Sequence, residues 1–253
     1  MYVIAQVRIS AVISIGKYVA DIQELLRRID LPRFKRGIVQ TLVLPPPQSS
    51  AVEPKIMNAE RFDFLNKDGT WAVVLGPDSI SLHTSEYTEY GFFELKLRQA
   101  LEIIHQVVGI TLSERLGLRY IDLIRAGVGE SLRDYVRPEI QGLDPAKVGA
   151  STSLARFEFV GKTEYGQLVA KMYETEDGTF LPPELRPTNL VHSVALKPAE
   201  TVLMLDLDHF SEEVAPFDVD GVLNGLGELH DNLDRAFRAA VTEGALKRWS
   251  EKD

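Results

Sequence analysis

The stretch that most constrains this chain runs from Tyr87 to Asp122, and in its wider form to Ile124. Between Phe92 and Val108 the apolar residues are Phe92, Phe93, Leu95, Leu97, Ala100, Leu101, Ile103, Ile104, Val107 and Val108. Their spacing is mainly three and four, which keeps one helical face apolar. Gln99, Glu102 and Gln106 occupy the other side, with Lys96 and Arg98 at its edges. Gly109 supplies a stop, because glycine adopts the left-handed cap conformation at little cost. The period then changes. Leu116, Leu118 and Tyr120 alternate with Gly117, Arg119 and Ile121, which is strand spacing, and Ile121, Leu123 and Ile124 thicken it toward a central strand buried on both faces. A helix of about five turns cannot bury such a stripe alone. It must lie on a sheet, and the strand that follows belongs to that sheet.

The remaining chain supplies the other strands. Val3–Ile9 alternates as a strand. Ile15–Ile29 reads as a helix with Ser14 as its cap and Pro32 ending it. Phe34–Leu44 is a second strand, and Pro45–Ser50 a surface loop, because three prolines cannot serve a hydrogen-bonded ladder. A meander follows: Glu60–Leu65, Trp71–Leu75 and Ser79–His83, with Gly69 and Gly76 expected to supply positive φ in the turns. Residues 126–153 are loop-rich, with a short helix expected over Ser131–Val136. Leu154–Val160, Gly166–Glu174, Val191–Leu196 and Glu200–Asp208 read as strands, interrupted by Pro182, Pro183 and Pro187. Val219–Trp249 reads as a long amphipathic helical region that breaks near Gly244.

The expected fold class is α+β: antiparallel sheets carrying two long amphipathic helices. An N-terminal half, 1–150, and a C-terminal half, 151–253, form either two units or one continuous globule. Each half reads as a strand meander followed by a long helix, so a pseudo-repeat and a mere recurrence of a common order both stand.

Composition narrows the function classes. The 253 residues suffice for real cores. The formal net charge of −9 disfavours a polyphosphate partner, which wants a basic footprint, so nucleic acid is not the expected ligand. There is no cysteine, hence no disulfide frame, thiol nucleophile or thiolate metal site. No apolar run is long enough to span a bilayer, and no basic, apolar leader opens the chain. A cytoplasmic location is the expectation.

Four parts of the chain together resemble a known family: the run VIAQVRIS…ISIGKYVADIQELLRR…FKRGIVQ, then FDFLNKDGTWAVVLGPDSISLHTSEYTEYGFFELKLRQALE, ERLGLRYIDLI and LHDNLDRAFRAAVTEGALKRW. They are similar to a sporadically distributed bacterial family of proteins of about this length that carry an ERLGLRYID-type signature. The resemblance covers nearly the whole chain. It implies a patchy distribution of the kind seen for mobile or defence-linked genes and no established activity, so it assigns no catalytic residue. Family members usually carry a Pro- and Glu-containing lead-in before the first strand, and its absence here implies a start further upstream.

Three segments carry candidate chemistry. Asp206-Leu207-Asp208-His209 places two carboxylates on one strand face, and with an imidazole they suit a divalent cation. Glu212 and Glu213 lie close by, and the structural alternative is a set of strand-end residues facing solvent. Glu114, Arg115, Arg119, Tyr120, Asp122 and Arg125 form a second cluster. Arg115, Arg119 and Arg125 suit bidentate capture of an anion; the alternative is an ion pair to a neighbouring strand, through Glu158 or Asp63. The third segment, His83 to Tyr90, offers His83 and Tyr87 on a link that ends at a helix N-terminus, a place that favours anions. Its structural alternative is capping by Ser85 or Thr88. His105 reads as a packing residue, and His192 and His230 stand alone.

No P-loop, dinucleotide fingerprint or HExxH motif occurs. The sequence therefore names no cofactor and no catalytic residue. It favours a non-catalytic binding or regulatory protein, in a defence or toxin–antitoxin setting, that recognises a protein partner or a small ligand. The alternative is an enzyme acting on a phosphorylated or nucleotide-like substrate through Arg115, Arg119, Asp206 and Asp208. A homodimer through the C-terminal helix is a further expectation, because Phe237 and Trp249 are large for a solvated tail.

Overall fold

The computed structural model describes residues 1–43, 55–149, 154–175, 189–191 and 201–250. The expected loop Pro45–Ser50, Pro182, Pro183, Pro187, His192 and all but the first residue of the strand expected over Val191–Leu196 lie outside the described residues.

The fold is α+β; among the described residues it is built on one ten-stranded antiparallel sheet. In chain order the elements are β1 (Tyr2–Ile9), α1 (Val19–Leu26), β2 (Arg33–Val43), β3 (Lys55–Leu65), β4 (Trp71–Leu75), β5 (Ser79–Thr84), α2 (Tyr90–Val108) and β6 (Leu112–Ile124). Then follow α3 (Pro145–Val148), β7 (Leu154–Thr163), β8 (Gly166–Thr175), β9 (Val202–Ser211), β10 (Ala215–Pro216), α4 (Val219–Ala240) and α5 (Glu243–Ser250). The strand order is β2-β3-β4-β5-β1-β6-β9-β8-β7, and β10 pairs the start of β6. One sheet thus runs through both 1–150 and 151–253, and β6 lies between β1 and β9. The first strand of each run closes on the last strand of its meander, β1 on β5 and β6 on β9, and a helix follows each meander.

Alternation along the strands separates the two faces. Val3, Ala5, Val7, Leu118, Tyr120, Leu203, Leu205 and Leu207 enter one core with Ile22 and Leu26 of α1, Phe93, Leu97, Leu101 and Ile104 of α2, and Leu223, Leu226 and Leu233 of α4. Among the described residues the other face, called helix-free below, carries no helix and a small apolar cluster: Tyr2, Ile4, Leu65, Ala72, Ile121 and Met204, covered by Leu190. Residues 189–191 are held there by backbone: Val191 N–H donates to the Gly69 carbonyl at 2.8 Å and Ser85 Oγ donates to the Val191 carbonyl at 2.7 Å. Among the described residues no helix is long and apolar enough to cross a membrane.

Several boundaries depart from the sequence expectation for local reasons. The first helix is divided into a 3-10 turn, α1 and a second 3-10 turn; Ser14 makes no side-chain cap, and the run ends at Asp30 in a left-handed conformation (φ 72°), ahead of Pro32. Short side chains such as Asp tolerate that conformation best among non-glycines. Gly69 takes positive φ (75°) as expected, whereas Gly76 does not. The C-terminal helix breaks at Val241-Thr242, not at Gly244. Val241 is extended and bridges Val136, and Thr242 Oγ1 accepts from Ala245 N–H at 3.1 Å, capping α5. Trp249 packs within the chain, with ring centroids 6.0 Å from both Tyr135 and Phe237. The two rings that suggested a dimer surface therefore have partners inside the molecule.

Leu226 of α4 is 1% exposed in the main core. Leu226→Ala is expected to lower the unfolding free energy by about 2–5 kcal/mol. Equilibrium urea unfolding would show this as a lower midpoint at an unchanged slope.

Candidate functional site

Strand β6 presents its two sides to different environments, and this sorts the candidate residues. Arg115, Gly117, Arg119 and Ile121 point to the helix-free face, while Leu116, Leu118, Tyr120 and Asp122 point toward the helices. The cluster read as one from the sequence is thus two clusters back to back. Arg125 lies past the end of β6 and is exposed.

On the helix-free face the residues form rows across β1, β6 and β9. Ile4, Arg119 and Asp208 make one row; Gln6, Gly117 and Phe210 make the next; Arg8 stands opposite Arg115. Arg119 grips Asp206 in a two-toothed ion pair, Nε to Oδ1 and Nη2 to Oδ2, both at 2.7 Å. Asp206 is 2% exposed, so this pair sits in a low-dielectric setting and joins β6 to β9. The partner is neither Glu158 nor Asp63, the two expected from the sequence. Asp63 is engaged by Arg61, at 2.6 Å, and by Asn189.

Arg115 behaves differently. Its guanidinium folds back over Gly117, so close that a Cβ there would meet Nη1 at 2.9 Å. It donates to Gln6 Oε1 at 3.3 Å and lies over the Phe210 ring, 4.3 Å from the centroid. It bonds no carboxylate among the described residues. Burial pushes its pKa down, with Arg8 acting the same way and Asp208 opposing. Arg8 itself reaches Asp78 at 3.2 Å. Nearby Asp208 accepts no hydrogen bond among the described residues. Burial raises its pKa, against the pull of Arg119 and Arg115. One cation and one anion thus share this face without bonding each other.

The expected metal set does not assemble. Asp206 is held by Arg119, and alternation sends His209 to the opposite side of β9. There its Nδ1 donates to the Leu229 carbonyl at 3.3 Å and its Nε2 meets the Thr163 hydroxyl at 2.8 Å. Among the described residues no group of three or more His, Asp or Glu side chains is placed to hold a metal ion. His83 is also satisfied, by Tyr2 Oη at 3.0 Å and Ser81 Oγ at 2.8 Å. Burial, helped by Arg61, lowers its pKa to about 3, so it stays neutral near physiological pH.

On the helix side, Tyr87 belongs to a chain the sequence did not reveal. Its hydroxyl lies 3.4 Å from that of Tyr120, which lies 3.0 Å from His230 Nδ1. His230 stacks on Tyr90 at 4.0 Å. Burial lowers the His230 pKa and raises those of Tyr87 and Tyr120, so the chain is neutral. The helical spacing of His230, Leu233, Asp234 and Phe237 was the one available signal that these residues share a face. Comparison with protein-family models, curated proteins and solved structures returns no match.

Removing Arg119 takes from the buried Asp206 carboxylate the guanidinium that holds both its oxygens. Arg119→Met is expected to cost about 3–5 kcal/mol, and the double change Arg119→Met/Asp206→Leu to recover most of that loss. A double-mutant cycle in urea measures both.

Proposed function

We propose that this protein is a non-catalytic, ligand-binding regulator that takes a small anion on the helix-free face of its sheet. The observation that carries this reading is Arg115, a half-buried guanidinium laid flat over Gly117 and Phe210 with no carboxylate bonded to it among the described residues. Holding a desolvated cation without an anion is costly, and a phosphate or carboxylate arriving from solution removes that cost. A planar guanidinium fixed against a ring is already oriented for bidentate capture. Arg8, directly opposite, is held by Asp78 at 3.2 Å, which leaves Arg115 as the cation that lacks a bonded carboxylate.

Asp208 refines the ligand class. It carries an acceptor with no donor among the described residues, so it suits an anion that also bears hydroxyl or amine groups, such as a small hydroxylated phosphate. The same chemistry motivates the alternative of an enzyme for a phosphorylated substrate. Binding is preferred because Asp206, the second carboxylate that such a mechanism would enlist, is committed to Arg119. This reading also takes the two strand runs as a pseudo-repeat whose seam is the β1–β6 pair, which puts Arg115 on the seam.

Calorimetric titration of the full chain with inorganic phosphate and with glycerol phosphate tests the proposal. Saturable binding is expected, tighter for glycerol phosphate. Arg115→Gln is expected to weaken both at least tenfold. Gly117→Val, whose side chain suits a central strand but occupies the guanidinium's resting place, is expected to weaken both with the fold intact by circular dichroism. Phosphate affinity unchanged in both variants would sink the idea.

A further inference from the structure

On the helix-covered face, the link from α1 to β2 and the link from β5 to α2 come together around a cavity of about 310 Å³. Its walls include the buried side chains of Leu31, Leu82 and Trp71. The Phe92 ring of α2 stands edge to face on Trp71, centroids 5.6 Å apart and planes at 90°, and extends the apolar wall. Three charged side chains, Asp30, Glu86 and Lys96, line the same space. Asp30 and Glu86 are exposed, which places them at its mouth.

The polar groups of this cavity have few partners of their own. Lys96 Nζ lies over the Phe92 ring, 5.5 Å from its centroid, and pairs with no carboxylate among the described residues. Asp30 accepts no hydrogen bond and pairs with no cation among them. Glu86 is held by the Thr70 hydroxyl, which donates to its Oε2 at 2.9 Å. Charges of opposite sign thus line one cavity without bonding each other. Trp71 is 8% exposed, yet its indole N–H donates to nothing among the described residues. Among those residues the one buried side-chain polar atom left without a partner is His105 Nδ1, so the indole N–H is not sealed in the core but opens on solvent-accessible space.

We propose that this cavity binds a free α-amino acid with a large apolar side chain. The ligand's ammonium group meets Asp30, its carboxylate meets Lys96 and the Trp71 N–H, and its side chain rests on Leu31, Leu82 and the Trp71 ring. The mixed sign of the lining selects a zwitterion. A simple carboxylic acid would answer Lys96 and set its charge near Asp30 and Glu86; a simple amine would answer Asp30 and leave Lys96 unmatched. The apolar walls select the side chain, because burying it removes hydrocarbon from water. Small-ligand pockets run from about 300 to about 1,000 Å³. This cavity is at the lower end of that range, which suits a single amino acid.

The test is calorimetric titration of the full chain with L-phenylalanine and with two analogues that each lack one charge, 3-phenylpropionate and phenethylamine. Saturable binding of L-phenylalanine is expected, at least about tenfold tighter than either analogue, because each charged hydrogen bond contributes about that factor or more. Lys96→Met is expected to weaken L-phenylalanine at least about tenfold and to leave phenethylamine unchanged. Asp30→Asn, whose side chain tolerates the left-handed backbone at this position, is expected to weaken L-phenylalanine by a similar factor and to leave 3-phenylpropionate unchanged. Absence of saturable L-phenylalanine binding would overturn the proposal. So would an analogue that binds as tightly as the amino acid, or folded Lys96→Met and Asp30→Asn variants that bind it as the wild type does. Phosphate binding through Arg115 uses the other face of the sheet, so either result leaves that proposal to its own experiment.

Discussion

The Arg119–Asp206 ion pair is the interaction on which the arrangement of this molecule turns. Strand β6 is central, hydrogen-bonded to β1 on one edge and β9 on the other. A charge placed on such a strand cannot reach solvent easily and must find its counter-charge within the sheet. Arg119 finds it on the neighbouring strand, in a geometry that satisfies both carboxylate oxygens. That match helps keep β6 and β9 in register on a face that has little apolar material among the described residues.

Once Arg119 is matched, the charges that remain stand out. Arg115, four residues earlier on the same strand face, has an amide and a ring for company. Asp208, opposite Arg119, has no donor among the described residues. The helix-free face therefore combines a rigid support with unsatisfied groups, which is what a pre-organised binding surface requires. On the other side of the same strand, Tyr120 and Asp122 meet α4 at a small cavity, where Asp234 is paired with Arg238. One strand, through its alternation, presents its residues to two different environments.

The long helix over residues 90–108 and the alternating strand after it were legible because their periods are long and regular. The Trp71–Leu75 strand was placed to the residue for the same reason, between clear turn signals. Failures came where tertiary contacts override local preference. Val241 leaves the helix to bridge Val136, and Asp30 ends its helix ahead of the proline. At the sites, sequence identified Arg115, Arg119, Tyr87, Asp206 and Asp208 as residues with chemistry to offer. It grouped them wrongly: His209 was assigned to a metal set from which strand alternation removes it.

What the sequence determined by itself was periodicity: which residues share a face of a helix or strand, and so that an α+β sheet protein would form. That information is local, because backbone geometry repeats over a few residues. Only the tertiary structure decided which strands are neighbours, and therefore that Arg119 meets Asp206 and that Gly117 makes room for Arg115. The same holds for His230, more than a hundred residues from Tyr120 in the chain, which reaches its hydroxyl. Pairings between distant segments depend on sheet order, and sheet order is set by the whole core and not by any single stretch.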